Sequence, residues 1–150
     1  MSQKITHSTQ DVSQRFPAHG IVEAQVDGRV VRHVAIGPFN DELLVAFTTI
    51  HEPIAQEMAS SGRWLDFYVL QQSALTTPQT IAGYAQYLKH LSQCGLAPAA
   101  TVFILPRDVE GATVMRPLYE KLFADAGLRF AAFDERADAE VWLQTELKNL

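Results

Sequence analysis

A chain of 150 residues, 47% hydrophobic and 19% charged, has the length and composition of one globular domain and too much apolar content for wholesale disorder. Its net charge of -5, with twelve scattered Lys and Arg residues, argues against nonspecific nucleic-acid binding, which needs clustered cations to displace phosphate counterions. Cys94 is the single cysteine, so neither an intrachain disulfide nor a paired-cysteine metal site can form, and a reducing compartment suits the chain. The opening "MSQKITHSTQDVSQRF" lacks the apolar core of a secretory leader, and no run approaches the roughly eighteen apolar residues of a membrane span. The expected setting is cytoplasmic.

Residues 1–18, rich in Ser, Gln, Thr and charge, show no sustained period and are expected to form a flexible or loosely docked tail, with the domain spanning 19–150. Val22, Ala24 and Val26 alternate with polar residues, and Val30, Val34 and Ile36 share a strand parity with Arg32. Asp27-Gly28 between these runs predicts a hairpin closed by a type I′ turn. Leu43, Leu44, Phe47, Ile50, Ile54 and Met58 then recur at helical spacing, with Asn40 placed as the cap and Pro53 predicting a kink or break near residues 51–53.

"WLDFYVLQ", Trp64 to Gln71, reads as a central strand covered on both faces. A helix follows from Thr77-Pro78 and ends at Gly95. "ATVFILP" is a further buried strand, and Met115, Leu118, Leu122 and Phe123 mark a helix begun near Val114 so that Pro117 falls in its first turn. "LRFAAFD" is the last strand and Ala137 to Leu147 the last helix. The order β-β-α-β-α-β-α-β-α predicts an α/β fold with a single mixed, mostly parallel sheet and packed helices.

Two places carry candidate site residues. The corner Gly37-Pro38-Phe39-Asn40 turns a strand into a helix, and the helix's first backbone donors suit either the Asn40 side chain or a ligand anion. The segment "QQSALTTPQT", with Ser73, Thr76 and Thr77, lies where ligands of open α/β sheets bind, and a phosphate on Thr76 or Thr77 would meet a helix N-terminus. Arg107 in "LPRDVEG" reads as a solvated charge partnered by Asp108 or Glu110. His7, His19, His33, His51 and His90 have no metal-ligand spacing and read as structural or surface residues, Cys94 as a buried or inert thiol. No phosphate loop, dinucleotide fingerprint or nucleophile elbow occurs, so no cofactor, no metal and no catalytic residue is expected.

The element order and the corner residues Gly37, Phe39 and Asn40 resemble the STAS domain family, named for sulfate transporters and anti-sigma-factor antagonists, over roughly His19 to Leu150. The resemblance implies a non-enzymatic regulatory or protein-interaction module. It also implies a regulatory site at Leu75-Thr76-Thr77-Pro78-Gln79, although the Asp and Gly of the family's phosphorylation motif are absent and Thr stands in place of Ser. A small-ligand or lipid-binding module of the same fold is the alternative, and an exposed edge of the opening hairpin would suit a homodimer.

Overall fold

The computed structural model describes residues 5–13 and 18–150 and contains one mixed six-stranded sheet whose strands lie in sequence order. They are β1 (Thr6–Ser8), β2 (Ile21–Asp27), β3 (Val30–Ile36), β4 (Leu65–Gln71), β5 (Ala100–Ile104) and β6 (Phe130–Phe133). β1, β2 and β3 pair antiparallel, and β3 to β6 pair parallel. Helices α1 (Asp41–Ser61), α2 (Pro78–Gln93) and α3 (Ala112–Asp125) join the parallel strands, and α4 (Arg136–Lys148) follows the last. The α/β class and element order are those read from the sequence, with β1 added in front.

Each crossover adds its strand on the same side, so right-handed connections bring α1, α2 and α3 to one face of the sheet. Val31 and Ala35 of β3, with Tyr68 and Leu70 of β4, point to that face and join its large core. The residues of opposite parity, Val30, Leu65 and Phe67, pack beneath α4 with Ala139 and Leu143 in a second, smaller core. The near-continuous apolar run of β4 follows from this double coverage.

Several local expectations change. In the hairpin Asp27 pairs with Val30, leaving Gly28 and Arg29 as the loop; only Gly28 has positive φ (62°), the pattern of a type II′ rather than a type I′ turn. Arg29 is then free to donate to the Arg63 and Met58 carbonyls at the C-terminal end of α1, where a cation is favoured. α1 runs as one helix through Pro53, which sits on its exposed face, where water can hydrate the carbonyl one turn earlier. α3 likewise begins at Ala112 rather than Val114, placing the exposed Pro117 inside the helix.

Residues 1–4 and 14–17 of the expected tail lie outside the described residues. Thr6–Ser8 of that stretch pairs along Glu23–Gln25, and the buried Thr9 hydroxyl accepts from the Val22 amide at 3.0 Å. The hairpin edge considered for a homodimer is therefore occupied over those three β2 residues. Cys94 is exposed, contrary to the buried alternative, because it caps α2 on the solvent side with its Sγ 3.7 Å from His90 Nδ1. No helix among the described residues is long and apolar enough to cross a membrane.

Candidate functional site

The rim at the carboxyl ends of the parallel strands gathers all five residues singled out from the sequence. The β3–α1 corner is stitched to the β4–α2 loop by Gly37 N to the Gln71 carbonyl (3.3 Å) and Phe39 N to the Leu75 carbonyl (2.9 Å). Any side chain at Gly37 would collide with this stitch, since a Cβ there falls 2.0 Å from the Ser73 carbonyl oxygen. The β5–α3 loop joins from the other side, with Ala74 N donating to the Glu110 carbonyl at 2.8 Å.

The polar atoms of the rim are largely spent in building it. Asn40 Oδ1 accepts from Leu43 N at 3.0 Å, capping α1, and from His19 N at 2.9 Å. Ser73 Oγ donates to Glu110 Oε1 at 2.8 Å while accepting from Leu75 N. Thr76 Oγ1 lies 2.7 Å from the Tyr119 hydroxyl, which donates to the Ala74 carbonyl. Thr77 Oγ1 accepts from Thr80 N at 3.1 Å as the cap of α2, and the Thr80 hydroxyl passes on to Asp41. Among the five only Thr77 is an exposed residue, and Thr76 is half-buried. Arg107 is exposed but pairs with Asp134 (3.0 Å) rather than Asp108 or Glu110, because Glu110 is turned inward to Ser73.

Beneath this rim, between the sheet and helices α1 and α2, lies a cavity of about 80 Å³. Ala35, Leu70 and Phe103 form its floor from the strands, and Leu43, Phe47 and Tyr84 its walls from the helices. Its lining is almost wholly apolar, and the lining residues that keep partial exposure are Phe39, Leu44, Thr76 and Tyr84. Burial pushes up the pKa of Tyr84 and, to about 12, that of Tyr119, so both rings present neutral phenols to this space.

Tyr68 and Phe47 separate the cavity from a buried polar cluster that sequence spacing gave no reason to assemble. Asp66 Oδ2 accepts from His51 Nε2 (2.8 Å) and from the Tyr68 hydroxyl (3.0 Å). His51 Nδ1 lies 2.6 Å from the Tyr87 hydroxyl. His33 stacks on Tyr68 with ring centroids 4.0 Å apart and uses its Nδ1 proton on the Phe67 carbonyl at 3.1 Å. Burial holds its pKa down, to about 4, against the partial pull of the Asp66 charge, so His33 is neutral near pH 7. His33, His51 and Asp66 are each at most 3% exposed.

The signals for this cluster were present but individually ordinary. His33 shares the inward parity of Val31 and Ala35, His51 falls on the apolar stripe of α1 between Phe47 and Ile54, and Asp66 interrupts an apolar strand. A single histidine on an apolar face is more often a satisfied core residue than a ligand, and only the fold brings three such positions together.

No family model matches this chain, and neither a curated protein nor a solved structure does.

Proposed function

We propose that the protein is a non-enzymatic, STAS-like binding module whose ligand is a small apolar molecule held in the cavity under the rim. The observation that carries this reading is the cavity itself: an apolar space reached past half-buried side chains, in the region where open α/β sheets bind ligands. The polar groups among its lining residues, the hydroxyls of Tyr68, Thr76, Thr80, Tyr84 and Tyr119, are neutral and suit orienting a ligand rather than neutralising a charge. His51 and Asp66, the groups suited to acid–base work, do not line it, which favours binding over turnover.

The test is a comparison of wild type with Ala35→Leu, which fills the floor of the cavity. Native mass spectrometry of gently purified protein, together with titration by an apolar fluorophore, is expected to show a bound molecule or saturable binding in wild type and neither in the variant. Wild-type protein that carries no ligand and gives no saturable fluorescence change would end this reading.

The exposure of Thr77 favours a second reading, in which the rim contacts a partner protein and phosphate on Thr77 changes that contact. Such a phosphate would replace the present cap and face the positive end of α2. Thr76 is the weaker candidate of the pair, since its hydroxyl is engaged with Tyr119. This reading expects Thr77→Asp to alter the set of proteins cross-linked to the rim while the fold stays intact, and an unchanged set removes the switch.

A further inference from the structure

The cluster of His33, His51 and Asp66 leaves polar capacity unused. His33 Nε2 and Asp66 Oδ1 are buried with no hydrogen-bond partner, a costly state for an imidazole lone pair and a carboxylate oxygen. Asp66 Oδ1 comes within 3.4 Å of His33 Nδ1, but that nitrogen's proton is directed to the Phe67 carbonyl. One ligand-capable atom from each of the three residues lies within 4.8 Å of the others, all in the protein interior.

The surroundings of the two histidines match what a bound cation needs. A ligating imidazole ordinarily fixes its orientation by giving its second ring N–H to a carbonyl or another acceptor. His33 does so through Nδ1 to Phe67, and His51 Nδ1 faces the Tyr87 hydroxyl at 2.6 Å. The remaining nitrogen of each ring is Nε2. The donor set points the same way: the Asp66 carboxyl lies against both imidazoles, so an ion held there meets an oxygen donor beside two nitrogen donors.

We propose that His33, His51 and Asp66 form a buried site for a first-row divalent metal ion, with Zn2+ the best fit to two imidazoles and one carboxylate. Mg2+ and Ca2+ prefer all-oxygen shells, and soft ions such as Cu(I) prefer the thiolates this cluster lacks. Ligand atoms around one tetrahedral Zn2+ stand about 3.4 Å apart, so side chains that already bring donor atoms within 4.8 Å of one another close on an ion by rotation. On binding, His51 shifts its single ring proton from Nε2 to Nδ1, where it is donated to the Tyr87 hydroxyl, and the ion takes the place between the freed Nε2 and Asp66 Oδ2. With all three residues buried, loading occurs during folding or local opening, and a loaded ion exchanges slowly.

The experiment is to unfold the untagged full chain in denaturant with chelator and refold it with Zn2+, with Co2+, or without metal, followed by desalting. Elemental analysis is expected to find about one ion per chain, the melting temperature to rise on metal loading, and the Co2+ form to show the visible absorption of a four-coordinate site. His33→Phe, which keeps a ring against Tyr68, and Asp66→Asn are expected to lose the ion. His90→Ala is expected to keep it, because the exposed His90 and Cys94 are the competing surface ligands. Wild-type protein that retains no metal and melts at the same temperature with and without Zn2+ overturns the proposal. So does metal lost in His90→Ala but kept in the two core variants. If the core variants do not fold, the wild-type ion count, the Co2+ spectrum and the histidine nitrogen NMR shifts decide it: two metal-shifted Nε2 resonances support the site, and a protonated His51 beside Asp66 with no metal removes it.

Discussion

The rim and the buried cluster hold similar numbers of polar side chains, yet they use them in opposite ways. At the rim, Asn40, Ser73, Thr76 and Thr77 look available in sequence and are consumed by backbone donors and carbonyls. In the interior, His33 and Asp66 look like isolated core residues and keep bare acceptors. Residue type at a favourable place is therefore a poor guide to chemistry until each hydrogen bond is accounted for. Helix starts need side-chain oxygens for structural reasons, whereas His33 satisfies one ring nitrogen on the Phe67 carbonyl and leaves the other buried without a partner.

The largest effect expected concerns the phenols that link the two regions. All four tyrosines of the chain have raised pKa values because burial, partial at Tyr84, disfavours their phenolates, Tyr119 at about 12 and the others higher. Above pH 10 the unfolded chain releases these protons while the native state keeps them, so stability is intact below pH 10 and falls as pH rises toward 12 and beyond. Four such groups set a limiting slope of roughly 5 kcal/mol per pH unit. Tyrosinate absorbance should accordingly appear in one step with the loss of circular dichroism. A smooth titration centred near pH 10 in folded protein would mean that the phenols are wet, and the contrast between spent rim and closed interior would collapse.

Asp66→Ala comes next. It leaves the His51 Nε2 proton and the Tyr68 hydroxyl without their acceptor in the core, at an expected cost of about 3–5 kcal/mol in denaturant unfolding. Gly37→Ala should cost about 3 kcal/mol or more, since the added methyl meets backbone that other loops hold in place. If Gly37→Ala proves the milder by far, the rim is more compliant than its hydrogen bonds indicate.

The fold was legible because its signals are periodic and local. Thr77-Pro78 gives the start of α2 and Asn40 that of α1, each confined to one turn of chain. The local departures arose where tertiary surroundings decide the outcome: Pro53 and Pro117 are tolerated because their carbonyl partners can be hydrated, and Thr6–Ser8 pairs along an edge that sequence does not show. The rim residues were legible as a group because they follow successive parallel strands. The cluster was not, since His33, Asp66 and His51 come from β3, β4 and α1 and meet only through sheet register and helix rotation. The cavity depends in the same way on how α1 and α2 sit over β3 and β4.

Smaller effects separate the rim residues from one another. Asn40→Ala removes the acceptor for two backbone amides, Leu43 and His19, and should cost about 1–2 kcal/mol. Thr77→Ala removes the cap of α2 and should cost about 1 kcal/mol, a fall of about 2–4 °C in melting temperature for a chain of this size. Thr77→Ser keeps the capping oxygen and should restore nearly all of it. The value of this last series lies in its sign. Thr77 is the rim residue most open to solvent, so a stability loss in the Ala variant that Ser repairs would place it with the structural residues despite its exposure. An Ala variant as stable as wild type would instead leave that oxygen unneeded by the fold. Thr77 would then be the one exception to the rule that separates rim from core.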